Sequence, residues 1–277
     1  MTESAIDSNP LHGADAPLSP APHSHHLHLP HHANEGILPS IQSLLAIMVI
    51  AIFIITFCIQ PFRIPSGSME PSLLVGDFLL VNKQITTPGV SDWLFPTPRI
   101  HRGEIVVFHY PINPTMHLVK RVIGLPGDRI KLRDGRVYIN GQALSEPYAM
   151  YLPSAPDGYR DNFPRLQSAD PAVDSRWWIK MHRLIDDGEL TIPSGDYFVL
   201  GDNRNDSEDS RYWGFVPRAA IVGEPILIYF SLQQHSFSQE LAFAPLSNAA
   251  VLHRHRTSAV DALADFARWG RTLQIVK

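Results

Sequence analysis

The clearest local structural signal in the chain is Ile130-Lys-Leu-Arg-Asp-Gly-Arg-Val-Tyr-Ile-Asn140. Two runs that alternate apolar and polar residues flank the pair Asp134-Gly135. A two-residue hairpin turn needs a positive φ at both central positions, and Asp-Gly adopts this conformation readily. The stretch therefore predicts a hairpin of two antiparallel strands.

Short β-branched or aromatic runs recur on both sides of this hairpin, each bounded by Gly, Pro, Asn or polar residues. They occupy residues 77–83, 104–110, 117–124, 196–200 and 225–230. No long amphipathic helix interrupts these runs. We therefore predict a mainly β domain over residues 61–144 and 194–232, built as an antiparallel folded sheet or a partly open barrel.

Two other regions depart from the strand pattern. Residues 145–193 are punctuated by proline and rich in aromatic residues, and we interpret them as an insertion on the β core. The tail, residues 233–277, becomes more basic, and its apolar residues between Val260 and Ala267 fall near helical spacing. This tail fits either an amphipathic helix at a membrane surface or a surface helix packed on its own domain.

An apolar run precedes the β region. Residues 36–62 are all uncharged, and a helix over residues 37–59 would span roughly 34 Å, enough for one membrane crossing. A cleaved secretory signal would need a basic segment before the run and small residues after it. Residues 1–36 contain no Lys or Arg, and Gln60-Pro-Phe62 follows the run. A buried core helix is the other interpretation, but the length of the run favours lipid. We predict one transmembrane anchor over residues 37–60.

The N-terminal tail, residues 1–36, contains seven His and five Pro. Histidine-rich tracts can bind metal. The scarcity of apolar residues instead favours a solvated, disordered tail, which is our prediction. The positive-inside rule, taken alone, leans weakly against a cytoplasmic tail, because Arg63 lies on the other side of the apolar run.

Charge and cysteine content argue against nucleic-acid binding and against structures that need several cysteines. The net charge of -4 shows no strongly basic character, so we expect no nucleic-acid partner. The single cysteine, Cys58, lies inside the predicted anchor. It excludes an intrachain disulfide and a cysteine metal cluster.

Ser68 is a candidate nucleophile that lies within a few residues of the predicted membrane surface. A serine there would meet substrates presented at a membrane. Serine is a poor nucleophile until a base removes its proton. Histidine is the usual base, and the histidines outside the two tails are His101, His109, His117 and His182. None of these four has an obvious supporting Asp. A neutral lysine is the alternative base.

Lys120 is the lysine best placed for that role. Strand alternation over residues 117–124 puts Lys120 on one face with Leu118 and Val122. Burial beside aliphatic side chains would depress the lysine pKa from about 10.4. The alternative is a lysine that snorkels from a sheet edge, and periodicity alone leaves both interpretations open.

The polar segment 201–217 is the third cluster of interest. A calcium loop fails on spacing, since it lacks the glycine and the closing glutamate of an EF-hand. The segment instead predicts a rigid, hydrogen-bonded turn that ends in Arg-Tyr-Trp-Gly.

Three segments together resemble the signature boxes of bacterial type I signal peptidases. They are Pro65-Ser-Gly-Ser-Met-Glu-Pro-Ser-Leu73, Lys120-Arg-Val-Ile-Gly-Leu-Pro-Gly-Asp128 and Gly201-Asp-Asn-Arg-Asn-Asp-Ser-Glu-Asp-Ser-Arg-Tyr-Trp-Gly214. Arg102-Gly-Glu-Ile-Val-Val-Phe108 matches a fourth, structural box. Their order and approximate spacing also match, from Phe62 to about Phe230.

The resemblance implies a role for each matching residue. Ser68 corresponds to the nucleophile and Lys120 to the general base. Ser66 joins the Ser68 backbone N–H in the oxyanion hole, and Ser207 orients the lysine amine. The residues that match supporting salt bridges are Arg121, Asp202, Asp209 and Arg211, with Arg121 as the expected partner of Asp202. The residues that match substrate pockets are Phe62, Ile64, Met69, Leu73 and Val119.

The resemblance also implies a function. We expect a membrane-bound serine endopeptidase that cleaves signal peptides from exported preproteins after small-x-small motifs. Its expected partners are those signal peptides, membrane lipid and, transiently, the secretion translocon, and it should need no metal or cofactor. The domain should face the outer, periplasmic side of the cytoplasmic membrane, and this functional argument overrides the weak charge argument.

Two features qualify the resemblance. The insertion at residues 145–193 matches a variable region of that family, and Glu208 stands where a small residue is frequent. The alternatives are another Ser/Lys peptidase, such as a self-cleaving repressor, and a catalytically silent membrane-anchored binding module. The predicted anchor, with no DNA-binding segment, argues against the first, and the presence of Ser68, Lys120 and Ser207 together argues against the second.

Overall fold

The computed structural model describes residues 37–53, 56, 58–83, 99–166, 170–233 and 266–276. The chain divides into two units, residues 1–47 and residues 48–277. The predicted histidine-rich tail, residues 1–36, lies outside the described residues.

Helix α1, Ile37–Phe53, is the described part of the predicted anchor. All of its residues are exposed. Within the described parts of the chain, no helix is both long enough and apolar enough to cross a membrane. The C-terminal end of the anchor was predicted at residue 60, but residues 59 and 60 belong to strand β1, Ile59–Arg63. Backbone pairing with β2, Asp77–Asn82, sets Ile59 opposite Asn82 and ends any helix before this point.

An eight-stranded antiparallel sheet carries the β core. Its further strands are β3 Ile105–His109, β4 His117–Gly124, β10 Asp196–Leu200, β11 Val216–Pro217, β12 Ile221–Ser231 and β13 Gln274–Ile275. The order is β1-β2-β12-β3-β4-β10-β11, with β13 also paired to β12. In the described residues this order is open at β1 and β11, so the sheet does not close into a barrel. The prediction of a mainly antiparallel β fold is confirmed.

Strand β3 lies between two apolar clusters. Ile105 and Val107 join the cluster that contains Met69, whereas Val106 and Phe108 join the cluster on the other side. Strand β4 pairs with β3 and sets Lys120 opposite Val106. A polar side chain in the middle of β4 is therefore held among buried apolar residues, which sets the environment of Lys120.

A five-stranded sheet forms the second layer of strands. It contains β5 Arg129–Arg133, β6 Arg136–Ile139, β7 Gln142–Ala143, β8 Ile185–Asp186 and β9 Glu189–Thr191, in the order β7-β6-β5-β9-β8. The predicted hairpin is confirmed, because Arg133 pairs with Arg136 across a turn at Asp134 (φ 49°) and Gly135 (φ 77°). Strands β8 and β9 belong to the predicted insertion, whereas β5, β6 and β7 precede it, so the sheet contains strands from both regions.

The insertion also contains helix α2, Ser175–His182. The Asp174 carboxylate caps it by accepting from the backbone N–H groups of Arg176 and Trp177. Trp177 and Met181 are buried in an apolar cluster shared with Ile130 and Leu190 of the five-stranded sheet. The insertion thus contributes to the core rather than lying on its surface.

The described C-terminal residues, 266–276, contact the eight-stranded sheet. Arg271 forms an ion pair with the fully buried Asp77 at 2.7 Å, and Arg268 donates to the Ser231 hydroxyl at 2.8 Å. The helical spacing predicted between Val260 and Ala267 lies mostly outside the described residues.

Candidate active site

Ser68 lies on a short turn directly after β1. A single 3₁₀ turn, Gly67–Met69, begins at Ser66, whose backbone is extended and whose side chain makes no capping hydrogen bond. Met69 is buried in the apolar cluster beneath the turn, and the Leu73 N–H donates to the Met69 carbonyl at 2.9 Å. These buried side chains fix the turn and leave Ser68 partly exposed.

Lys120 meets Ser68 from strand β4. Its Nζ lies 2.6 Å from the Ser68 Oγ, within hydrogen-bond distance. The lysine is only 4% exposed. Burial lowers its pKa to about 8, against an opposing effect of the Asp209 carboxylate and with a smaller lowering effect of Arg211. The structure thus brings together a hydroxyl and an amine that is partly neutral near pH 8, although they are 52 residues apart in sequence.

Asp209 organises the polar loop beside this pair. Its carboxylate accepts from the Ser207 hydroxyl at 2.8 Å, from the Gly201 N–H at 3.1 Å and from the Arg211 Nε at 2.8 Å. Burial is the largest single effect and raises the pKa of Asp209, but Arg211, Lys120 and the Gly201 N–H together hold this pKa below its ordinary value. Within the described residues the Ser207 hydroxyl donates to Asp209 and makes no hydrogen bond to Lys120, so its lysine-orienting role stays a prediction.

A second buried ion pair lies next to the lysine in sequence. Arg121 donates to Asp202 at 2.8 Å and 2.7 Å, and both side chains are almost fully buried. The Ser72 hydroxyl also donates to Asp202, at 2.6 Å. The expected Arg121–Asp202 pair is therefore present, and it ties strand β4 to the loop of residues 201–209.

A cleft of about 210 Å³ opens beside Ser68 and Lys120. Four of the five predicted pocket residues line it: Phe62, Ile64, Met69 and Val119. Leu73 is not among the lining residues. It is completely buried in the apolar cluster that also contains Ile64 and Met69, and its pocket role stays a prediction. The cleft is smaller than most small-molecule pockets, which occupy roughly 300–1,000 Å³. It suits short side chains.

Sequence reasoning missed His117 as a cleft residue. Its ring lies between Phe62, at 5.2 Å between centroids, and His109, at 4.4 Å. Partial burial and the neighbouring His109 lower its pKa. The alternation that puts Val119 in the cleft also puts His117, two residues earlier, on the same face, so the pattern could have found it.

Metal binding has no candidate in the described part of the chain. No group of three or more His, Cys, Asp or Glu side chains there is arranged to hold an ion.

Similarity to known proteins covers most of the chain. A family model described as signal peptidase, peptidase S26, matches residues 37–230. A signal peptidase I of Pseudomonas aeruginosa is 34% identical over 226 residues, covering 76% of this chain and 78% of the relative. One of Aquifex aeolicus is 32% identical over 236 residues, covering 73% of this chain and 88% of the relative. A crystal structure of a signal peptidase I from Enterococcus faecalis is 36% identical and covers 46% of this chain and 97% of that chain, with a TM-score of 0.34.

Proposed function

The chain belongs to the signal peptidase family, peptidase S26, and from this premise we propose that it removes signal peptides from exported preproteins by a Ser/Lys mechanism. Membership of this family supports a peptidase activity. The observation that carries the mechanism is the 2.6 Å contact between the Lys120 amine and the Ser68 hydroxyl. A buried amine with a pKa lowered to about 8 can accept the serine proton near neutral pH.

The first half of the proposed reaction acylates Ser68. The Ser68 Oγ attacks the scissile carbonyl carbon while its proton passes to the Lys120 amine. The resulting oxyanion accepts hydrogen bonds from the Ser68 N–H and the Ser66 hydroxyl. Collapse of this intermediate breaks the C–N bond, and the Lys120 ammonium protonates the leaving amine of the mature protein.

The second half releases the signal peptide. A water molecule gives a proton to Lys120 and attacks the acyl carbon, and the ester bond to the Ser68 Oγ then breaks. The lysine returns the proton to the Ser68 Oγ, so the enzyme is regenerated. The products are a signal peptide with a free carboxylate and a mature protein with a free amine.

In this proposal the cleft beside Ser68 selects the substrate by the size of its side chains. An extended peptide can lie beside residues 62–66 as an added strand, and its alternate side chains then face the protein. A small cleft lined by Ile64, Met69 and Val119 excludes large side chains by steric overlap. Small residues at the first and third positions before the cut satisfy this geometry, although such a site discriminates only modestly among them.

Purified protein should cleave a preprotein once, after a small-x-small motif, in the presence of a chelator. Replacing the small residue directly before the cut by Phe should lower kcat/KM by roughly 10²-fold or more, because the side chain overlaps the cleft wall. Mass spectrometry of both products locates the cut. Failure of the purified protein to cleave any preprotein would overturn the proposed function.

The proposed location is the cytoplasmic membrane, with the β domain on its outer side and a single anchor that begins at residue 37 and ends before strand β1. Membrane association of the family and the apolar composition of this stretch support the proposal. Translocated preproteins emerge on that side, where membrane lipid and, transiently, the translocon would be neighbours. The histidine-rich tail would then be cytoplasmic.

A reporter fused after Lys277 should therefore be active only when exported. Protease added to intact spheroplasts should digest the β domain, because the domain is accessible from outside. A reporter fused before residue 37 is the matched control and should behave as cytoplasmic. Protection of the β domain from external protease would contradict the proposed orientation.

A further inference from the structure

We propose that residues 146–150, at the start of the predicted insertion, position the nucleophile for catalysis. They act through the loop of residues 201–204, which contacts the backbone of Ser68. Glu146 and Tyr148 are the positioning residues of this segment. The inference rests on the proposed Ser/Lys function, and it assigns a catalytic contribution to a region whose role the family resemblance leaves open.

The loop packs directly on the turn that carries the nucleophile. The Asn203 N–H donates to the Ser68 carbonyl at 3.1 Å, and its side-chain amide donates to the Gly67 carbonyl at 3.4 Å. A side chain at Gly201 would place its Cβ 2.5 Å from the Ser68 carbonyl oxygen. With this little space, a shift of the loop must shift the turn or break its hydrogen bonds.

The segment holds this loop through its backbone. The Met150 N–H donates to the Asp202 carbonyl at 2.7 Å, and the Arg204 N–H donates to the Met150 carbonyl at 2.9 Å. These two hydrogen bonds flank Asn203, the residue that contacts the nucleophile turn. The loop is thus paired with the segment on one side and packed against Ser68 on the other.

A buried ion pair reinforces the same connection. The Glu146 carboxylate accepts from the Arg204 guanidinium at 2.6 Å and 3.0 Å. The side chains are 7% and 2% exposed, respectively. The Arg204 Nε also donates to the Gly201 carbonyl at 3.0 Å, so the guanidinium bridges the segment and the loop. Removal of one charge from such a pair leaves the other buried and unpaired, and movement of the loop relieves that cost.

Tyr148 connects the segment to the other half of the catalytic pair. Its ring lies 4.1 Å from the guanidinium carbon of Arg121, the residue that follows Lys120. Arg121 in turn pairs with Asp202 in the loop. One short segment therefore contacts both the neighbour of the base and the loop behind the nucleophile, which suits it to hold the Ser68–Lys120 distance.

The test is Glu146→Gln, which keeps the size of the side chain and removes its charge. We expect kcat to fall by about tenfold to 10²-fold, since small misplacements of reacting groups cost this much. KM should stay within about twofold, because the segment does not line the cleft. The pH midpoint of kcat should move little, because Glu146 is not among the main effects on the Lys120 pKa. Glu146→Asp should restore part of the rate.

Glu189→Gln is the matched control, because Glu189 is a similarly buried carboxylate that pairs with Arg129 and Lys131 in the five-stranded sheet. It should lower the unfolding temperature without lowering kcat. A folded Glu146→Gln protein with wild-type kcat, or an equal loss of kcat in Glu189→Gln, would overturn the inference. Inactivity of the wild-type protein would instead count against the proposed function.

Tyr148→Leu provides a second test if Glu146→Gln folds poorly. It removes the ring over Arg121 and leaves every charge in place. We expect a loss in kcat of about threefold to tenfold with KM unchanged, in line with the strength of a partly buried cation–π contact. An unchanged kcat in this variant would reject the inference independently.

Discussion

Ser68→Ala should abolish preprotein cleavage, lowering kcat by about 10⁶-fold, while the protein stays folded. The Ser68 hydroxyl is partly exposed and contacts the Lys120 amine, whereas the turn is held by the buried Met69 and Leu73. Its removal therefore costs little packing but leaves no oxygen to attack the scissile carbonyl. Gel or mass-spectrometric detection of the mature protein measures the loss, and thermal unfolding measures the fold.

Ser66→Ala provides a graded comparison for this prediction. The Ser66 side chain makes no capping hydrogen bond, so its loss should leave the turn intact. If its hydroxyl is an oxyanion donor, kcat should fall by roughly 10²–10³-fold. Ser175→Ala, at an exposed position on α2, should have no effect. Near-normal turnover in Ser68→Ala would contradict the proposed mechanism, whatever the result for Ser66→Ala.

The local elements of the fold were predictable because their signals are local. Strand β4 begins and ends at the predicted residues, and the hairpin turn lies at Asp134-Gly135. The same two-residue signal recurs at Asn140-Gly141 and Asp187-Gly188, where positive φ angles connect β6 to β7 and β8 to β9. Those two hairpins were not predicted although the turn residues were present, because strands β7, β8 and β9 have only two or three residues each.

The contacts that build the site depend on distant residues and could not be read from periodicity. Alternation predicted that Lys120 faces apolar neighbours, but its approach to Ser68 depends on how β1 and the following turn pack beside β4. The Glu146–Arg204 pair joins residues 58 apart, one in the proline-punctuated insertion and the other in the polar segment 201–217. The position of Leu73 beneath the turn is likewise set by tertiary packing, which buries it completely in the cluster that contains Ile64 and Met69.

Lys120→Arg should be almost inactive, with kcat reduced by about 10⁴-fold or more. A guanidinium stays protonated in proteins and cannot accept the Ser68 proton. Lys120→Met is the matched comparison, and it should be equally inactive but at least as stable as the wild type at neutral pH. Burial lowers the lysine pKa in the folded state, so protonation at neutral pH disfavours folding, and an uncharged side chain removes that cost. A Lys120→Arg enzyme with near-normal turnover would show that another residue is the base.

The pH dependence of the wild-type rate tests the same assignment without changing Lys120. Only the neutral amine can act as the base, so activity should be low in acid and rise with pH around a midpoint near the lysine pKa of about 8. The rise should thus come well below the value of about 10.4 for a free lysine. Glu208 is an exposed carboxylate whose charge raises this pKa. Glu208→Gln should therefore move the midpoint to lower pH and leave the plateau rate nearly unchanged. A wild-type midpoint near the free-lysine value, or a midpoint that moved to higher pH in Glu208→Gln, would show that the observed ionisation is not that of Lys120.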